Sequence, residues 1–85
     1  MVVYYDSNVD ALDIRLLPDA EVARSVDIDD RRVVDLDSRG RVVSIEVMGS
    51  SYGFDVDDLI ESFGLGDYED DLRKLAEGKL PVVHS

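Results

Sequence analysis

Val33-Val34-Asp35-Leu36-Asp37-Ser38-Arg39-Gly40-Arg41-Val42-Val43-Ser44-Ile45-Glu46-Val47-Met48 reads as two strands and the turn between them. Val34 and Leu36 fall on one side of an extended chain, Asp35 and Asp37 on the other, and Val43, Ile45 and Val47 repeat the period of two. Asp37 suits the first position of a type I turn. Gly40 can take the positive φ that follows it, closing a hairpin with a three-residue loop and a glycine bulge. One face of that hairpin is apolar.

The same alternation runs outward on both sides. Val3 and Tyr5 alternate with Val2 and Tyr4 up to the turn residues Asp6-Ser7-Asn8. Leu12, Ile14 and Leu16 alternate with Asp13 and Arg15 until Pro18-Asp19 stops the strand. Val22, Val26 and Ile28 suggest a third strand, with Arg24 the polar exception. Short strands joined by tight turns predict an antiparallel β-meander of four to five strands over residues 1–48.

The period changes after the loop Met48-Gly49-Ser50-Ser51-Tyr52-Gly53. Asp55 is a good N-cap, acids crowd the first turn, and Val56, Leu59, Ile60 and Phe63 recur at helical spacing before Gly64. A second helix is expected from Asp67, carrying Tyr68, Leu72 and Leu75 inward and ending at Gly78. Leu80-Pro81-Val82-Val83-His84-Ser85 forms a tail that frays or adds a short edge strand. The expectation is an α+β single domain. Two C-terminal amphipathic helices (54–78) cover one face of the sheet, and a tail follows over 79–85.

Eighty-five residues form one small core, and 45% hydrophobic with 34% charged residues is ordinary for a globular domain. Without cysteine there is no disulfide, thiolate nucleophile or thiolate metal site. No signal peptide or bilayer-length apolar run is legible, so the expected location is cytoplasmic. Twenty acids against nine bases give a net charge of −11. That field disfavours nucleic acid and anionic membranes as partners. It fits solubility or a salty cytoplasm on one reading and a basic partner on the other.

Two stretches resemble the small bacterial "domain of unknown function 2283" family over roughly residues 1–50. Tyr5-Asp6-Ser7-Asn8-Val9-Asp10-Ala11-Leu12-Asp13-Ile14 is similar to its Tyr-Asp-x-x-x-Asp-Ala-Leu-x-Ile opening, and residues 34–47 to its Asp-x-x-Gly hairpin. Asp13 stands where the family commonly has an aromatic residue, leaving the outer face more polar. The resemblance implies a compact β-rich module and brings no catalytic residues with it. Some members are encoded beside small toxin-like proteins, which would make this chain antitoxin-like.

Several clusters could carry chemistry. Asp35-x-Asp37-x-Arg39-Gly40 with Glu46 at the twelfth place approaches a calcium loop, but Arg39 sits where an oxygen ligand belongs and the flanks alternate as strands do. Asp27-x-Asp29-Asp30 and Asp55-x-Asp57-Asp58 have local reasons as a turn and a helix start. His84 lies by the C-terminus, and no nucleophile elbow surrounds Ser50 and Ser51. Arg31-Arg32 and Arg39/Arg41 are expected to pair with neighbouring Asp. These readings predict no catalytic, cofactor or metal site. The expected function is a non-enzymatic interaction module, homo-oligomeric or docked on a basic protein. A divalent-metal-binding or hydrolytic protein using the Asp clusters is the alternative. The expected interface residues are Tyr4, Tyr5, Val42 and Met48: one of the two tyrosines lies on the outer sheet face beside Val42 and Met48, an apolar spot ringed by Asp13, Asp35 and Glu46.

Overall fold

The computed structural model describes residues 1–84. Six strands are formed: β1 (Val2–Asp6), β2 (Ala11–Arg15), β3 (Arg24–Asp27), β4 (Arg32–Leu36), β5 (Val42–Met48) and β6 (Val83–His84). Two helices, α1 (Asp57–Phe63) and α2 (Glu69–Ala76), lie near the C-terminus, so the class is α+β as the patterning predicts. The chain divides into two compact units, the first built from Met1–Ser51 and the chain from Val82 on, the second from Tyr52–Pro81.

In the first unit the sheet order is β3-β4-β5-β2-β1-β6. The strands β1 to β5 pair antiparallel, and β6 adds a sixth, parallel to β1, so the sheet is mixed. The order departs from a sequential meander in two places: β6 lies beside β1, and β2 pairs with β5, not with β3. The segment after Pro18 carries the chain past β5 and β4 to the edge of the sheet, and β3 begins only at Arg24. Val22 stays outside the strand, 52% exposed.

The hairpin closes as its residues dictate. Gly40 has φ +81° and donates its N–H to the Asp37 carbonyl at 3.1 Å, while the Asp37 N–H reaches the Arg41 carbonyl at 2.9 Å. The Asp37 carboxylate then accepts the N–H groups of Arg39 and Arg41, both at 2.9 Å, and the Arg41 Nε at 2.7 Å. One acid thus satisfies the loop's donors and is itself 7% exposed.

Alternation sorts the side chains of the sheet. Val3, Leu12, Ile14, Val34, Ile45 and Val47 lie on one face and are buried, the last three completely. Val42 breaks the pattern. The register pairs Asp35 with Ser44 but Leu36 with Val42, which leaves Val43 as the extra residue of a β-bulge. A one-residue insertion inverts the alternation, so Val42 joins Leu36 and is only 7% exposed.

In the second unit, α1 ends at Gly64, whose φ of +65° and N–H to the Ile60 carbonyl make a left-handed cap. Asp55 lies ahead of the helix. Its Oδ1 accepts the Asp57 N–H at 2.9 Å, and Val56 occupies the N-cap without a side-chain bond. The second helix begins two residues later than expected, because a 3₁₀ turn over Gly66–Tyr68 precedes α2. Leu59, Leu65, Leu72 and Leu75 are buried, whereas Ile60, Phe63 and Tyr68 are half-buried. Arg73 ties the helices by donating to Asp57 of α1 at 2.6 Å and Glu69 of α2 at 2.8 Å. Among the described residues, no helix is long and apolar enough to cross a membrane.

Candidate functional site

The outer sheet face is assembled by register. Val83, Tyr4, Asp13, Glu46, Val33 and Asp27 form one row across all six strands. Arg15, Ser44, Asp35 and Ser25 form the row below it, and Asp6, Ala11 and Met48 the row above. Tyr5 belongs to the opposite side, level with Leu12 and Val47. Of the four expected interface residues, Tyr4 and Met48 therefore share the outer face. Tyr5 does not, and Val42 is taken inward by the bulge.

Tyr4 and Met48 line an open groove of about 400 Å³ with Val9 and Ala11, and its charged lining is Asp6, Asp13 and Glu46 with one cation, Arg15. Val9 is 54% and Met48 45% exposed, so the apolar part of the groove faces solvent. A second hollow of about 290 Å³ continues past Asp13, Arg15 and Glu46 to Asp35, Ser44 and the loop residues Leu17, Pro18 and Val22. The two hollows share those three charged residues.

The charges on this face are unevenly matched. Arg15 donates to Asp13 Oδ2 from Nε and Nη2 at 3.0 and 2.9 Å, and its guanidinium lies 5.2 Å from the centre of the Tyr4 ring. Asp35 is 8% exposed and accepts the hydroxyls of Ser25 at 2.6 Å and Ser44 at 2.7 Å. Partial loss of hydration pushes the Glu46 carboxyl above its usual range, the charges of Asp35 and Asp13 add to the shift, and Arg15 opposes it. Asp35 and Glu46 were expected merely to share a solvent face. Two serines on flanking strands instead carry Asp35 into the structure. Ser25 and Ser44 give no sign of this in the sequence, because the β3–β4 register had to be known first.

The remaining candidates have local roles. Asp29 accepts the N–H groups of Arg31 and Arg32 and pairs with the Arg32 guanidinium at 2.8 Å, which holds its carboxyl below the usual range. Asp37 is lowered by the Arg41 N–H in the hairpin loop. Arg31 donates to the carbonyls of Met48 and Gly49 at 3.0 and 2.6 Å. His84 sits in β6 with its ring edge-on to Tyr5, 5.8 Å between centroids. Among the described residues, no three His, Cys, Asp or Glu side chains converge as metal ligands do.

Asp10 is the residue that sequence reasoning passed over. It is the one non-glycine at positive φ (+50°) among the described residues. Its carboxylate accepts the Tyr5 hydroxyl at 2.7 Å, the Ser51 N–H at 3.1 Å and the Ser51 hydroxyl at 2.5 Å, and its carbonyl accepts the Ser50 N–H at 3.0 Å. The Ser51 hydroxyl leads the groups that lower its pKa, followed by the Tyr5 hydroxyl. Tyr5 and Asp10 thus act as one unit that pins the chain leaving β5 to the β1–β2 turn.

The model of the family described as "Protein of unknown function (DUF2283)" matches residues 3–51. The chain belongs to this family. The matched segment ends where the first compact unit leaves β5, so β1 to β5 and the Tyr5–Asp10–Ser51 clamp are the family part and both helices lie beyond it. No curated protein and no solved structure matches the chain.

Proposed function

We propose that this member of the family is a non-enzymatic, cytoplasmic interaction module whose outer sheet face docks a basic protein. The observation that carries the reading is the groove itself: exposed Met48 and Val9 beside Tyr4, with Asp6, Asp13 and Glu46 around them. Apolar contact supplies attraction and the acids select a cationic partner and speed encounter. A second copy of the chain is a poorer occupant, since it would bring one acidic rim against another at −11 each.

The non-enzymatic reading is supported by the local roles of Asp10, Asp29 and Asp37, which accept backbone N–H groups and are held in the charged form. The test is capture from native extract at physiological salt, with wild type and Met48→Asp side by side. A basic protein held by wild type and lost from the variant is expected. Identical recoveries, or a concentration-dependent dimer of the pure chain in sedimentation, would overturn the reading.

A further inference from the structure

Met48 and Glu46 are two residues apart on one face of β5, which sets their side chains about 7 Å apart along the strand. Around Glu46 the neighbours are Asp13 and Asp35, two more carboxylates. The nearest cation, Arg15, is already held by Asp13 at 2.9 Å and lies over Tyr4. The protein therefore presents an apolar contact and, one strand repeat away, a carboxyl group crowded by like charge.

We propose that the groove takes a segment of its partner bearing a lysine or arginine about 7 Å from an aliphatic side chain, the cation meeting Glu46 and the aliphatic group lying on Met48 and Val9. This rests on the docking reading above and narrows it to a ligand chemistry. A cation meeting Glu46 relieves the like charge that Asp35 and Asp13 place around it. The aliphatic side chain covers apolar surface on Val9 and Met48 that otherwise faces water. Neither half is specific alone. Their spacing selects a cation next to an apolar residue over a plain run of lysines.

The probe is a short fluorescent peptide with one lysine and one leucine two positions apart in a Gly-Ser background, titrated into the full chain by anisotropy at low salt. Its counterpart carries glutamine in place of the lysine. Glu46→Gln is expected to weaken binding of the lysine peptide about fivefold, the scale of one partly exposed ion pair. Met48→Ser should weaken it comparably. Asp70→Asn, an equal charge change on an exposed position of α2, should leave it unchanged. Equal weakening by Glu46→Gln and Asp70→Asn, or equal binding of the glutamine peptide, overturns this assignment while leaving a basic partner in place. No binding of the lysine peptide also overturns it, and extract capture then decides the broader reading separately. Circular dichroism of each variant shows that the sheet is intact.

Discussion

Asp35 on β4 and Glu46 on β5 are neighbours on the outer sheet face, and the charge of Asp35 adds to the partial loss of hydration that holds the Glu46 carboxyl above its usual range. Ser25 and Ser44 both donate to Asp35. Glu46 is the partner whose ionisation the fold resists.

A pH dependence follows. A carboxyl whose folded pKa lies above its unfolded value binds more protons in the native state, so its contribution to stability falls as pH rises through the window between the two. Glu46→Gln removes that loss. The variant should melt higher than wild type near about pH 7, with the difference shrinking below about pH 4 as wild-type Glu46 becomes protonated in both states. A variant that melts lower at neutral pH would mean that Glu46 is stabilising when charged, contrary to its surroundings.

Asp10 behaves in the opposite sense. Its pKa is lowered in the fold, so its stabilisation is present above the unfolded value and lost as pH falls through the folded one. Asp10→Ala should lower the melting temperature at neutral pH and speed amide exchange at Ser51, whose N–H it accepts at 3.1 Å. Asp10→Asn should cost less, since asparagine tolerates positive φ and keeps one acceptor. Unchanged exchange at Ser51 in the alanine variant would show that the clamp does not hold the loop.

Gly40 supports a simpler test. With φ at +81° and no atom within 4 Å of the place a Cβ would take, only backbone strain opposes a side chain there. Gly40→Val should destabilise the protein by about 1–2 kcal/mol in denaturant melts. An effect near zero would mean that the loop relaxes to another turn.

How far the sequence foretold this structure depended on the range of the interactions involved. The Asp37–Gly40 loop was legible because its chemistry lies within five residues, and the Gly64 cap for the same reason. Tyr4 and Tyr5 were correctly read as facing opposite ways, since a period of two leaves no choice. Val42 was misplaced because a bulge is a property of two strands: Val43 reads as an ordinary alternating residue until its partner is known. The β2–β5 pairing has the same origin, for nothing local states which strand lies beside β2. Asp10 was hidden because its partners Ser50 and Ser51 are about forty residues away along the chain.

In the helical unit Leu72 is 0% exposed, whereas Phe63 at the end of α1 is only half-buried. Leu72→Ala should therefore cost about 2–5 kcal/mol, a large part of what a domain of this size has to spare. Phe63→Ala should cost less than Leu72→Ala, despite the larger side chain. The reverse order in chemical denaturation would place the anchor of this unit at the end of α1.

The central claim is that one face of one sheet selects a cation beside an apolar side chain. Nuclear magnetic resonance of the isotopically labelled full chain, titrated with the lysine–leucine peptide, tests it most directly. The account predicts saturable shifts confined to Tyr4, Val9, Ala11, Asp13, Glu46 and the Met48 methyl, with the amides of α2 unmoved. Shifts spread over every acidic surface, or centred on Glu69, Asp70 and Asp71, would contradict it.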